Sequence, residues 1–176
     1  MAVNKKEMKL AESIPFLNKL AGRHGIALID IFEDGIMDLK SRQVYKAPAA
    51  TEVLTVKIDL GGSCFTKDER HFKKIIDAHW ASMVYRGEWF HPLKDDLDAF
   101  IEQSQQVVSG TTQIKLYRGN FTIVKRERSA SSLFYPEIRS RKAAGFDQCW
   151  CAHAAKIRGL PFEILAKRNA KMKDKL

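Results

Sequence analysis

The sequence predicts an α+β fold: mostly antiparallel sheet with a β-hairpin, packed against several amphipathic helices. Three observations carry that class. Apolar residues keep helical spacing over two long stretches, 72–84 and 93–108; period-two alternation marks two segments flanking Arg118-Gly119-Asn120; and helices and strands are intermixed without the regular βαβ spacing of a doubly wound sheet. With 176 residues the chain reads as one domain over 1–166, long enough to bury a core, followed by a basic disordered tail over 167–176. No internal repeat or domain linker interrupts it.

Taken in order, a polar lead-in precedes a helix carrying Ile14, Leu17, Leu20 and Ala21. Pro15 belongs in a first turn, so the helix is expected to start near Ser13 and to close at Gly22 and Gly25. Ile26 to Glu33 is apolar on nearly both faces, which predicts a strand covered on both sides and central in a sheet. Asp34-Gly35 is a turn signal, and Ile36 to Leu39 is the expected return strand. Pro48 suits the first position of a helix running to Leu60, although the alternation of Val53, Thr55 and Lys57 also suits a strand.

Thr66 followed three residues later by Glu69 forms a capping box, so a helix starts there and runs to the stop at Gly87. Trp89-Phe90-His91-Pro92 connects it to a second helix with Leu93, Leu97, Phe100, Ile101 and Ser104 on one face. Thr111 to Tyr117 and Phe121 to Lys125 form the β-hairpin, since Gly and Asn between them tolerate positive φ. Phe146 to Arg158 predicts an amphipathic helix broken by Gly159-Leu160-Pro161, with Phe162 to Leu165 as a last strand or packing segment.

Composition bounds the partners. Up to Tyr117 there are 16 Lys and Arg against 16 Asp and Glu; from Arg118 onward there are 14 against 5, so the whole net charge of +9 lies in the last third. Clustered cations gain from neutralising phosphates, which makes nucleic acid or another polyanion a candidate partner through Lys125, Arg126, Arg128, Arg139, Arg141 and Lys142. No window approaches the ~18 to 20 apolar residues of a membrane span, and Met1 to Leu10 lacks the apolar core of a signal peptide, so no membrane partner and a cytoplasmic location are expected. Cys64, Cys149 and Cys151 follow no disulfide spacing and are read as reduced thiols.

The chemistry of the chain is concentrated in one place. No phosphate-binding glycine loop is present, and Gly61-Gly62 stands outside any strand-to-helix context. Cys149-x-Cys151-x-His153 lacks the second pair a tetrahedral zinc site wants, and Cys149 and His153, four apart on a helix, point away from Cys151, so no metal is expected. His71 and His79 ride on an amphipathic helix with no nucleophile in a recognised motif beside them. What remains is 26–48, where Glu33 ends an apolar strand and Tyr45 follows Lys40, Ser41 and Arg42. A carboxylate with a phenol can bind an ammonium and an adjacent polar group, while Lys and Arg suit a carboxylate; the set reads as an amino-acid site or as a charged turn.

The stretch LAGRHGIALIDIFEDGIMDLKSRQVYKAPAA, residues 20–50, resembles the C-terminal domain of argininosuccinate synthase, in which A-G-x-H-G, I-D-I-x-E, K-S-R and Y-x-x-P recur in this order. The similarity continues through Tyr85-x-Gly87-x-Trp89-Phe90-x-Pro92, Asp98-Ala99-Phe100-Ile101 with Ser104-Gln105, Lys115-Leu116-Tyr117-Arg118-Gly119-Asn120 and Gly159-Leu160-Pro161. The resemblance implies a ligase of arginine biosynthesis that joins citrulline to aspartate, with ATP and Mg held by a separate N-terminal domain and no cofactor held in this chain. It implies that Glu33 and Tyr45 contact citrulline, with Lys40, Ser41 and Arg42 in support, and that the domain builds a homo-oligomer and partners an ATP-binding half. The family's S-G-G-x-D-T-S loop has no counterpart here. Ala27-Leu28 stands where the family usually has Gly-Arg, and Lys46 where it usually has Glu. These changes, with the basic last third, motivate the alternative of a catalytically inactive interaction module that binds RNA or another polyanion.

Overall fold

Local signals set most of the elements, and long-range packing decides how they are used. A computed structural model describes residues 2–127, 129–139, 145 and 147–173. The chain divides into two units, Met1–Phe134 and Tyr135–Leu176. The first unit runs β1 (Ala2–Val3), β2 (Lys6–Glu7), α1 (Leu10–Gly22), β3 (Leu28–Asp34), β4 (Lys40–Lys46), α2 (Pro48–Cys64), α3 (Lys67–Tyr85), α4 (Pro92–Gln105), β5 (Thr111–Tyr117) and β6 (Asn120–Glu127). The second holds α5 (Pro136–Arg139) and α6 (Cys149–Lys173). The class is α+β, with three antiparallel two-stranded ladders, β1 with β2, β3 with β4 and β5 with β6.

Helix starts follow their chemistry. Pro48 occupies the first turn of α2, and the Asn18 side chain of α1 accepts from the Ala49 amide at 3.0 Å, satisfying one of the free donors of that helix end. At α3 the Thr66 hydroxyl accepts from the Glu69 amide at 3.3 Å, and the Glu69 carboxylate accepts from the Thr66 amide at 2.8 Å. The β5–β6 turn puts Arg118 at φ 43° and Gly119 at φ 81°, the two left-handed residues of a tight hairpin turn, and the Gly119 amide donates to the His24 carbonyl just past α1.

Packing in the first unit pairs α1 with α2 and α3 with α4. Leu17, Ala21, Ile26, Ala49, Met83 and Leu97 are buried, and Phe72 meets Phe100 edge-to-face at 5.4 Å. Glu52 of α2 is only 1% exposed, and among the described residues neither of its carboxylate oxygens has a hydrogen-bond partner. Burial pushes its pKa up. Among the described residues no helix is long and apolar enough to cross a membrane.

Four expectations are corrected. The return strand of the first hairpin is Lys40–Lys46; Ile36, Met37 and Leu39 lie in the loop and are largely exposed. Their apolar character suggested a strand, whereas backbone pairing selects the following seven residues, from Asp34 opposite Lys40 to Leu28 opposite Lys46. Nor is β3 central, since β4 is its sole neighbour among the described residues and Leu28 and Phe32 are 66% and 77% exposed. α1 starts at Leu10, one turn before Ser13, because the Glu12 carboxylate accepts from the Lys9 amide and closes the helix start there. α6 continues through Pro161 to Lys173, so residues 162–165 form no strand and 167–173 are helical. The proline removes one backbone hydrogen bond, and the turns on either side carry the helix across it.

Candidate functional site

The β3–β4 register sorts the charged residues of the first hairpin by face. Directly opposed residues share a face in an antiparallel pair, so Ile29, Ile31 and Glu33 line up with Tyr45, Gln43 and Ser41. Leu28, Asp30, Phe32 and Asp34 line up with Lys46, Val44, Arg42 and Lys40 on the other. The second face is exposed throughout; the first is in good part half-buried, at Ile29, Glu33, Ser41 and Gln43.

On the half-buried face the Tyr45 hydroxyl donates to Glu33 Oε1 at 2.7 Å. That hydrogen bond raises the Tyr45 pKa, with burial, the Glu33 charge and the neighbouring Tyr85 adding in the same direction. The phenol therefore holds its proton and stays a donor. Ser41 stands directly opposite Glu33, and its hydroxyl accepts from Gln43 Nε2 at 3.4 Å.

Lys40 and Arg42 are on the exposed face, away from Glu33 and Tyr45. Lys40 pairs with Asp34, and the Arg42 guanidinium donates to Asp30 through Nε at 2.8 Å and Nη2 at 2.5 Å. Each partner favours the other's charge, so the Asp30 pKa is lowered and that of Arg42 raised. The structure thus brings together Glu33, Tyr45 and Ser41 and separates the two cations from them. Period-two counting along β4 would have shown this once the strand was known to begin at Lys40.

Tyr85 joins the site from a distant part of the chain. It is the last residue of α3, and its hydroxyl donates to the Asp34 carbonyl across 3.5 Å, linking positions 51 apart in sequence. No local pattern around Tyr85 announces that approach.

Of the cations considered for polyanion binding, the two described on β6 are each paired with a carboxylate. Arg126 donates to Asp59 of α2 through Nε at 2.7 Å and Nη2 at 2.8 Å, and Lys125 pairs with Glu127 at 2.9 Å. Arg139 ends α5, while Arg128, Arg141 and Lys142 lie outside the described residues. α6 adds exposed Lys156, Arg158, Lys167, Arg168 and Lys171. Cys149 and Cys151 are exposed on α6 and Cys64 is buried.

Gly61 and Gly62 lie within α2, where the Gly61 carbonyl accepts from the Phe65 amide at 2.9 Å. Amides engaged in a helix cannot cradle a phosphate, so these residues do not fit ATP.

Comparison with known proteins agrees with the resemblance read from the motifs. The family model described as arginosuccinate synthase C-terminal domain matches residues 1–165. Argininosuccinate synthase of Oenococcus oeni is 38% identical over 170 residues, covering 96% of this chain and 42% of that protein. The proteins of the same name from Methanopyrus kandleri and Methanocaldococcus jannaschii are each 39% identical, covering 90% and 96% of this chain and 40% and 43% of their own length. The chain spans about two fifths of the length of the curated relatives it matches. A family match over residues 1–165, with relatives 38% to 39% identical over nearly the whole chain, shows that the chain belongs to the argininosuccinate synthase family and carries its C-terminal domain.

Proposed function

We propose that this domain serves the ATP-dependent ligation of citrulline and aspartate in arginine biosynthesis by contributing Glu33 and Tyr45 to citrulline binding, while a separate ATP-binding domain activates the substrate. The observation that supports this most directly is the Tyr45–Glu33 hydrogen bond on the half-buried face of the hairpin. Tyr45 fixes one carboxylate oxygen, so Oε2 is oriented for a donor from the ligand. An ammonium there forms a charge-assisted hydrogen bond, and the adjacent phenol and the Ser41 hydroxyl offer partners to a neighbouring polar group. In this reading ATP and its Mg are held by the separate ATP-binding domain, and no step of activation is assigned to residues here.

Self-association goes with the same reading. Leu28, Phe32 and Val44 form an exposed apolar strip on the outer face of the hairpin, and Phe90 is 98% exposed, so apolar surface is left that a second copy or a partner domain would cover. A cytoplasmic location follows from a role in amino-acid biosynthesis. The test is calorimetry with L-citrulline, then turnover after mixing with an ATP-binding argininosuccinate synthase half. Binding by the chain that is lost in Glu33→Ala, with activity restored by mixing, is the expected result. An inactive mixture together with wild-type behaviour of Glu33→Ala would overturn it.

A second reading, an inactive module docking on RNA or another polyanion, draws on the exposed basic residues of α6. Phosphate contacts release counterions, so such binding should fall steeply between low and moderate salt. RNA binding that is flat across that range, or absent, would remove this reading.

A further inference from the structure

The helix end that carries Tyr85 is capped and braced. Gly87 takes φ 77° and stops α3; the Glu88 amide donates to the Met83 carbonyl at 3.0 Å and the Gly87 amide to the Val84 carbonyl at 3.0 Å, the paired bonds of a Schellman cap. Met83 within that cap is 1% exposed and anchors it in the core. The Arg86 guanidinium then donates to both oxygens of Glu88, at 2.7 and 3.0 Å, and to Ser82 Oγ at 2.6 Å, bracing the same turn. From this support the Tyr85 hydroxyl reaches the Asp34 carbonyl, one residue beyond Glu33. Asp34 also opens the loop whose Gly35 amide donates to the Leu39 carbonyl at 2.9 Å. Without a tether the exit of β3 would be a free loop edge on a two-stranded ladder, and two-stranded ladders are weak on their own.

We infer that Tyr85 is a positioning residue of the Glu33–Tyr45 site: from the capped end of α3 its hydroxyl fixes the exit of β3, and with it the angle at which the Glu33 carboxylate meets the Tyr45 phenol. The inference rests on the proposal that this pair takes an amino acid, and deepens it by adding a third residue from a different element. Tyr85 also contributes to raising the Tyr45 pKa, which agrees with a shared cluster at this edge.

The test uses the full chain and the Tyr85→Phe variant, which keeps the ring and removes only the hydroxyl. Two readouts are taken, calorimetry with L-citrulline as the probe and the titration of the Tyr45 phenol followed by NMR with ring-labelled tyrosine. Loss of one hydrogen bond that orients the site is expected to weaken citrulline about three- to tenfold. The Tyr45 titration is expected to move to lower pH, and in a Glu33→Gln background Tyr85→Phe should cause no further loss of binding. A packing role alone would leave citrulline affinity at its wild-type value, because phenylalanine packs as tyrosine does, and, since Tyr85 also acts on Tyr45 directly by charge, would lower the Tyr45 titration equally in the wild-type and Glu33→Gln backgrounds; that result would overturn the inference. If the wild-type chain does not bind citrulline, the proposed function fails, yet the Tyr45 titration still decides the role of Tyr85: a larger shift in the wild-type than in the Glu33→Gln background upholds it and an equal shift rejects it.

Discussion

Trp80 of α3 donates its indole N–H to Asp98 Oδ1 of α4 at 2.7 Å, while Lys94, one turn earlier on α4, donates to Oδ2 of the same carboxylate at 2.5 Å. The Trp80 bond thus ties α3 to α4, and Lys94, on the same helix as Asp98, holds that carboxylate in place. The Lys94 and Trp80 hydrogen bonds lower the Asp98 pKa. A carboxylate with a depressed folded-state pKa adds stability that is fully present above its unfolded value and is lost as pH falls through the folded one. Urea unfolding followed below pH 4 should show wild type losing stability more steeply than Asp98→Asn. At neutral pH, Trp80→Phe removes the indole N–H together with part of the ring and is expected to cost about 1 kcal/mol or more; an unchanged midpoint would show that the Trp80–Asp98 contact contributes nothing.

Glu52 has the opposite sign. Its buried carboxyl has a raised pKa and, among the described residues, no hydrogen-bond partner, so the folded state holds a proton that the unfolded state releases. Stability then falls as pH rises from the ordinary carboxyl value through the raised one, and levels off above it. Glu52→Leu is expected to stabilise the chain at pH 7 by about 1 to 3 kcal/mol and to flatten that part of the profile. Thermal melts of both proteins from pH 4 to 8 check it, and a destabilised Leu variant at pH 7 would contradict it.

Tyr45 sets an alkaline limit. Its raised pKa means that the folded state keeps the phenol proton after an ordinary tyrosine has lost it. The associated stability is present below the unfolded value near 10 and is lost as pH rises through the folded one. Phenolate absorbance should therefore show one tyrosine of the wild type titrating above the ordinary phenol range, and Tyr45→Phe should lack that step. At neutral pH Tyr45→Phe should bind citrulline more weakly.

Arg126 and Asp59 join β6 to α2 through a two-point contact that lysine cannot reproduce. Arg126→Lys should speed amide exchange in β5 and β6 while leaving that in α3 and α4 unchanged. Equal protection of the β5–β6 ladder in both proteins would show that the hairpin stands without this tether.

The elements that were legible in the sequence share a cause. Pro48, the Thr66–Glu69 box and the Arg118-Gly119 turn act over three or four residues, so their chemistry is complete wherever the chain places them. The strand Lys40–Lys46 was missed because its side chains are polar and the apolar Ile36, Met37 and Leu39 before it drew the assignment. Strand identity depends on what the backbone pairs with, and that partner is not a local property. Pro161 misled for the same reason, since its local penalty was read without the turns that carry α6 past it.

By itself, the sequence determined the family and the α+β class and named Glu33 and Tyr45 as candidates, because ordered motifs survive in the linear string. The tertiary structure alone decided which neighbours those two residues have. Strand register turned Lys40 and Arg42 to the opposite face, and the capped end of α3 brought Tyr85 across 51 positions to Asp34. Register and helix packing are relations between segments, and a string of residues records each segment without recording how they meet.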